Sequence, residues 1–454
     1  MRDAIVIGGG LSGLSAAWEL RRRGADVIVL ELLERPGGVM IGERREGFLI
    51  EHGPSEMMLK NASMEAQIQA LGLGEELQRP SANAQRRYIV RDGRPVALPQ
   101  NPLSGVFNPI LSLRGKLGLA SEWLRGKGVQ DDESVAAFVR RRLGQDFLDY
   151  AVGPLCSGIY AGDPEQLSMR HAFPVLWNLE KQYGGMIRGA IGKMRERRAA
   201  GTPAYIKQLV SFRGGMRSLP DAIAASLGEV VICKARVKGV SQDAGGWTLD
   251  YEREGRSYCE RARKLVIAVP AYELAHLPLP AAIQDTLSPL ASLPYSPVAT
   301  VFTGFRREDI AHALDGFGVL VPRKESRGLI GTLFLSSLFE GRAPEGCVAL
   351  LSFVGGMYSP QYARLDALAL CSLVREELGR LLGARAVPLV EQAHHWPKAI
   401  PNFPVGYQAM LDSLDLAEQR WPGLSIVGNY RGGPAAGDSM MAAINAAARL
   451  LARD

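Results

Sequence analysis

The sequence predicts an α/β fold with a parallel sheet at its centre, interrupted by two insertions. Three observations predict it. A strand, a glycine turn, a helix and a second strand follow one another between Met1 and Glu31. An almost wholly apolar run, Leu265 to Pro270, lies far downstream, as a strand buried between neighbours requires. A second strand, glycine-rich loop and helix close the chain between Leu424 and Leu451.

The opening segment carries the most information. Ala4–Ile7 reads as strand, Gly8–Gly13 as a GxGxxG turn, Leu14–Leu20 as helix and Ala25–Leu30 as strand, ending at Glu31. This order suits a dinucleotide. Gly8 allows the tight turn, Gly10 lets backbone approach a pyrophosphate, and Gly13 lets helix and strand pack closely. The helix N-terminus favours the phosphate charge, and Glu31 would accept hydrogen bonds from ribose hydroxyls. A plain structural turn is the competing reading, and the complete context disfavours it. Arg35-Pro36-Gly37-Gly38 continues the pattern, because a glycine pair lets backbone lie flat beside a ligand. Phe48 to Glu56 follows as a short strand broken at Gly53-Pro54.

At 454 residues, the chain exceeds one ordinary core. Hydrophobic content of 47% and charged content of 22% are those of a soluble globular protein. A net charge of +6 is too small to argue for nucleic acid, and none is expected as a partner. The scattered Cys156, Cys233, Cys259, Cys347 and Cys371 show no CxxC spacing, which fits a reducing compartment. His394 and His395 adjoin, so on a strand they face opposite ways and would not share a metal; no metal site is expected. The chain opens on its first strand, so no signal peptide is expected, and the location expected is cytoplasmic. The uncharged run Pro95–Leu113 holds four prolines, which argues for loop rather than a membrane span.

The nucleotide-binding domain is therefore expected to be discontinuous: residues 1–85, about 205–272 and about 390–454. Residues 86–204 read as mostly helical, with Asp131–Ser134 opening a helix whose apolar face carries Val135, Phe138, Val139 and Leu143. Residues 273–389 show strand-like runs at Phe317–Val321, Leu329–Leu335 and Val348–Val354, then a helix over Ala367–Leu382. With about 86–100 they form an α+β substrate-binding domain, leaving 101–204 as a helical insertion. That insertion is basic, with Arg114, Lys116, Arg125, Lys127 and the cluster Lys193, Arg195, Arg197, Arg198. It is either a solvated face or a surface drawn to anionic membrane. At the C-terminus, Asp438-Ser439 is expected to cap a helix from Met440 to about Leu451.

Taken together, the GxGxxG turn, Glu31, Arg35–Gly38 and Gly53-Pro54 resemble the flavin amine oxidase family. Ser157–Met169, Arg86–Ile89, Phe317–Pro322 and Ser352–Gly356 are narrower and resemble the oxygen-dependent protoporphyrinogen oxidase family. The resemblance implies a Rossmann-like FAD-binding domain, non-covalent FAD, and six-electron oxidation of protoporphyrinogen IX to protoporphyrin IX, with O2 reduced to hydrogen peroxide. It also implies peripheral membrane association through the helical insertion; a homodimer and hand-off to ferrochelatase or magnesium chelatase are further expectations. The hydride acceptor would be flavin N5, and no side chain is assigned as catalytic base. By resemblance Arg87 grips a substrate propionate, Leu320, Leu333 and Phe353 sandwich the rings, and backbone at Gly158 passes close to the macrocycle. The FAD set is Gly8, Gly9, Gly10, Leu11, Ser12, Gly13, Glu31, Leu32, Gly38, Gly53, Pro54, Ser55, Glu56, Val237, Trp396, Asn429, Pro434, Ala435 and Ala436. Val39 and Glu51 depart from the family, which often has a basic residue and an aspartate there. Coproporphyrinogen III oxidation is the alternative; amine oxidase, carotenoid desaturase or a non-enzymatic flavoprotein are more distant ones.

Overall fold

The computed structural model describes residues 1–99, 108–128, 130–200 and 205–452. Its strands, in chain order, begin with β1 (Arg2–Ile7), β2 (Val27–Leu30), β3 (Gly42–Arg45), β4 (Phe48–Glu51), β5 (Met57–Leu59) and β6 (Leu77–Gln78). Next come β7 (Arg86–Arg91), β8 (Arg94–Ala97), β9 (Gln208–Phe212), β10 (Val231–Ile232), β11 (Ala235–Asp243), β12 (Gly246–Arg253) and β13 (Arg256–Ile267). The last are β14 (Tyr295–Arg306), β15 (Gly316–Leu320), β16 (Leu329–Phe334), β17 (Cys347–Gly355), β18 (Val390–Pro401) and β19 (Leu424–Ile426).

The first sheet runs β10-β2-β1-β13-β12-β11, with β19 also paired to β13. Contacts among β10, β2, β1, β13 and β19 are parallel, while β11, β12 and the first half of β13 form an antiparallel meander. Period-two alternation divides the parallel strands between two cores. Ile5 and Ile7 point into one with Ile28, Leu30 and Ile267; Ala4 and Val6 point into the other with the helices Leu11–Arg22 and Ala436–Leu451.

The second sheet runs β18-β14-β17-β16-β15-β7-β8, antiparallel except for β15 with β7. One face is sealed by the helix Ala367–Leu382, whose Leu370, Val374, Leu378 and Leu381 pack on Val301, Val319, Leu350 and Val354. Asp366 starts that helix by accepting the Ala369 N–H at 2.8 Å, and Gly383 ends it in the left-handed conformation. β4 lies against the other face, with Phe48 edge-on to Phe302.

Helices fill most of the segment from Leu113 to Ala200. Ser134 caps Val135–Arg142 by accepting the Ala137 N–H at 3.1 Å. A π-helical turn, Leu148–Val152, leads into the helix Gly153–Tyr160. The insertion is tied at its centre by Arg142, Glu122 and Glu180, each 0% exposed. Arg142 lies 2.7 Å from Glu122 and 3.3 Å from Glu180 and donates to the carbonyls of Arg125, Gly126 and Gly184. Glu122 in turn accepts the N–H groups of Met186 and Ile187, which open the helix Met186–Ala200.

Residues 86–97 form the hairpin β7–β8 on the edge of the second sheet, ahead of the helical segment. Alternation of Tyr88 and Val90 into the core selects strand there. One expectation, the start of the final helix, needs correction. The final helix begins at Ala436, with Ala435 as an uncapped, extended first residue, and Asp438-Ser439 lies inside its first turn. Small residues let this end press onto β5: a side chain at Gly437 would stand 3.1 Å from Met57 Cε. Asp438 instead binds Lys60, 2.6 Å away. Of the run Pro95–Leu113, residues 100–107 lie outside the described residues. Among the described residues no helix is long and apolar enough to cross a membrane.

Arg142→Ala would leave buried Glu122 without its cation, while Glu180 keeps Arg141, and should cost about 3–5 kcal/mol in urea unfolding. Arg140→Ala removes the exposed pair with Glu165 and should cost under about 1 kcal/mol. Equal losses would show that the buried network does not hold the insertion.

Candidate active site

The glycine turn is built on backbone proximity. Gly8 has φ +102°, and a side chain there would meet Ala268 O at 2.6 Å. A Cβ on Gly13 would stand 1.9 Å from Gly8 O, so helix and strand approach as only glycine permits. Gly10 differs: its missing Cβ would meet no heavy atom within 4 Å. Gly10 caps the helix Leu11–Arg22 without a side chain, and that helix has no acidic residue in its first turn. The positive helix end therefore opens onto free space beside Gly10, as a phosphate site requires.

Two walls flank that space. Gly37 N–H donates to Gly9 O at 2.8 Å, and a Cβ on Gly38 would stand 3.3 Å from Gly10 Cα. Arg35 braces this loop by donating to the Pro36 and Gly38 carbonyls. On the other side, buried Glu31 accepts the N–H groups of Gly9 (2.5 Å) and Leu33 (2.7 Å), while Leu32 stays exposed. Its carboxylate thus buttresses the glycine turn, a task its place at a strand end did not reveal. Glu31 backbone pairs with Ile232 and Ala235, which brings β11 alongside with Val237 two residues further on.

The segment Glu51–Glu56 forms the next part of the crevice. A Cβ on Gly53 would stand 2.1 Å from Val39 O, so the two glycine-bearing loops touch. His52 O accepts the indole N–H of Trp396 at 2.8 Å and the Thr300 hydroxyl at 3.4 Å. The His52 ring stacks on His394, centroids 4.8 Å apart. His395 points the other way, its Nε2 2.7 Å from Leu365 O. Burial holds both His52 and His394 below the usual imidazole range. Ser55 donates a short hydrogen bond to the Glu56 carboxylate. Glu51 is buried, 3.1 Å from Arg342, and accepts the Met216 N–H at 2.6 Å. Burial outweighs the pull of Arg342 and pushes Glu51 up to about 7; burial also raises Glu56. Asn429 and Pro434–Ala436 lead into the final helix, whose first turn abuts Met57 and Met58, just beyond Glu56.

Strand register gathers the apolar candidates. Leu320, Gly331, Phe353, Thr300 and His394 lie opposite one another across β15, β16, β17, β14 and β18. Paired residues share a face, and so do residues two apart, so Leu333 and Trp396 join the same surface. Ile89 pairs with Leu320, which puts Arg87 on that face at the far edge. Arg87 is exposed and lies over Phe317, 5.5 Å from its centroid; among the described residues no ion pair holds it. Gly158 faces Leu320 directly: a Cβ there would meet Leu320 Cδ2 at 3.0 Å. The site candidates thus follow one line, from the glycine turn through Gly53 and Trp396 along the sheet to Arg87. His52, Thr300, His394 and Arg342 were missed because isolated residues in ordinary strands and loops carry no local signal.

The profile described as flavin containing amine oxidoreductase matches residues 11–451. The chain belongs to the flavin containing amine oxidoreductase family. It is an FAD-dependent oxidoreductase, and the open cradle at Gly10 suits that cofactor. Protoporphyrinogen oxidase 2, chloroplastic/mitochondrial, of Arabidopsis thaliana is 32% identical, over 97% of this chain and 92% of that protein. The mitochondrial protoporphyrinogen oxidase of Nicotiana tabacum is 34% identical, over 97% and 93%. A crystal structure from Exiguobacterium sp. 255-15 matches in fold with a TM-score of 0.83 at 22% identity, covering 100% of this chain and 99% of that one.

In this flavoprotein Gly10→Ala should leave the apoprotein's melting temperature unchanged yet weaken FAD retention, because its methyl group enters only the cradle. Gly13→Ala should lower the melting temperature itself. Glu51 predicts a pH effect. Its folded value of about 7 exceeds the ordinary 4.5, so its contribution to stability is full below about 4.5 and is lost as pH rises through 7. The melting temperature of Glu51→Gln relative to the parent should rise from about pH 5.5 to about pH 8. A constant difference would remove Glu51 as the titrating group.

Proposed function

We propose that the chain oxidises protoporphyrinogen IX to protoporphyrin IX, with six electrons passing through FAD to O2 and hydrogen peroxide released. One observation carries the reading: a single sheet face joins Trp396, at the flavin turn, to Arg87 at the opposite edge through Phe353, Leu333 and Leu320. From β14 to β7 that face crosses four strand spacings, roughly 19 Å, enough for a flat macrocycle. The near full-length likeness to the plant enzymes points to the same substrate.

Bound FAD supplies the hydride acceptor. The chain's own residues orient the substrate and keep water out. Leu320, Leu333 and Phe353 offer the macrocycle an apolar bed. Gly158 lets the neighbouring helix approach without a side chain in the way. Arg87, planar and free of a carboxylate partner among the described residues, takes a propionate. Residues 1–85, about 205–272 and about 390–454 serve FAD in this reading, and 273–389 with about 86–100 serve the substrate.

The reading extends to a membrane surface at residues 101–204. Leu113, Leu117, Trp123, Leu124, Ile187, Ile191 and Met194 are exposed there, and the turn Glu122–Leu124 packs on the helix Met186–Ala200. Arg114, Lys116, Arg188, Lys193 and Arg195 lie among them. Apolar side chains interleaved with cations fit an anionic bilayer surface.

Purified protein should turn colourless protoporphyrinogen fluorescent in air, and more slowly without O2. No fluorescence would overturn the reading; faster turnover of coproporphyrinogen III would redirect it. Arg87→Ala should raise KM roughly tenfold while FAD stays bound. Unchanged KM would remove Arg87 from the site. The protein should co-sediment with phosphatidylglycerol vesicles at low salt; Trp123→Ser with Leu124→Ser should abolish this, and a supernatant-only parent would exclude the membrane surface.

A further inference from the structure

Arg342 belongs to no recognised motif, yet its position is unusual. It lies in the loop before β17, in the chain of the second sheet, but its guanidinium is 0% exposed and meets residues beside the flavin crevice. Nη1 lies 3.1 Å from Glu51 Oε2. Nη2 donates to Ser211 Oγ at 2.6 Å and to Phe212 O at 3.3 Å. The Ser211 hydroxyl passes the contact on, donating to Ser55 O at 2.7 Å. One guanidinium therefore reaches both ends of the Gly53-Pro54 turn: residue 51 before it and residue 55 after it. The Phe339 ring closes the remaining side, 5.3 Å away.

Burying this arginine is costly. Desolvation opposes its charge, and apolar side chains of similar size in place of both Arg342 and Glu51 would hold the fold about as well. The charged groups facing it are Glu51, Glu56 and, more distantly, Arg44. What an apolar replacement cannot do is hold the Glu51 carboxylate and, through the Ser211 hydroxyl, the Ser55 carbonyl at a set separation. The turn so held carries the Gly53–Glu56 segment on one side of the crevice and abuts Val39 of the Gly37–Val39 loop on the other.

We propose that Arg342 is a positioning residue for FAD: from the substrate-facing sheet it clamps both ends of the Gly53-Pro54 turn and so sets the cofactor's fit. The clamp also ties the loop before β17 to β4 and β9, so a shift in that loop is felt at the flavin.

The test is FAD binding to apoprotein, followed by flavin fluorescence quenching, with the melting temperature of each apoprotein measured alongside. No porphyrinogen is used, so the result stands apart from the substrate assignment. Ser211→Ala keeps every charge and cuts the relay to Ser55. Arg342→Lys keeps the charge but cannot span Glu51 and Ser211 together. Both should weaken FAD binding on the order of tenfold at a temperature where each apoprotein is still folded. Ser211→Ala, which leaves Ser55 O and Arg342 Nη2 short of a partner, should also lower the apoprotein's melting temperature modestly. Bound flavin should also show an altered visible circular dichroism spectrum in Arg342→Lys. FAD affinity and spectrum unchanged in both variants would overturn the proposal. So would full recovery by Arg342→Met, since that would make the residue a space filler.

Discussion

The fold depends on the closeness of one helix to one strand. Gly13 lies so near Gly8 O that no side chain fits between them, and Gly8 in turn abuts Ala268. This contact aims the positive end of Leu11–Arg22 at the open space beside Gly10. Everything that lines the crevice is arranged around that space: Gly37 and Gly38 against Gly9 and Gly10, Glu31 beneath Gly9, β11 beside Glu31. A nucleotide site made of backbone tolerates little movement. The surrounding contacts are correspondingly short and buried.

The second constraint is the joint between the second sheet and the segment after β4. It falls on a few residues after β4. His52 offers its carbonyl to Trp396 and Thr300 and its ring to His394, all on the second sheet. Glu51 meets Arg342 from the same side. This part of the crevice is therefore assembled from the segment after β4 and from the second sheet, and the apolar surface that runs from Phe353 to Leu320 begins where the joint ends. Chemistry carried by a cofactor asks this of a protein: two surfaces held in register and little water between them.

Buried charge recurs in both halves of the molecule. Arg342 with Glu51 sits beside the Gly53-Pro54 turn, and Arg142 with Glu122 and Glu180 sits inside the helical segment. Neither is an efficient stabiliser by itself. Each instead fixes directions: Arg342 the two ends of a turn, Arg142 the carbonyls of loops on either side and, through Glu122, the start of the helix Met186–Ala200. The helical segment can then present exposed leucines and Trp123 without its interior rearranging around them.

By itself the sequence determined the elements whose cause is local. Strands reading Ala4–Ile7, Val27–Leu30 and Leu265–Ile267 are apolar because they are buried on both faces, the GxGxxG turn needs its glycines, and Asp366 and Gly383 bracket Ala367–Leu382. The family, and with it the flavin, was legible in the same short motifs. Tertiary structure alone decided what meets across distance. Glu31 supports the glycine turn, Arg342 reaches Ser55 through Ser211, and Ala436 rather than Met440 opens the last helix because Met57 and Met58 lie beneath it. Strand order put Arg87, Leu320 and Phe353 on one surface with Trp396. Hydrophobic period and turn chemistry act over a few residues, whereas sheet order and buried charge pairing join residues hundreds of positions apart, with no trace in the sequence around either partner.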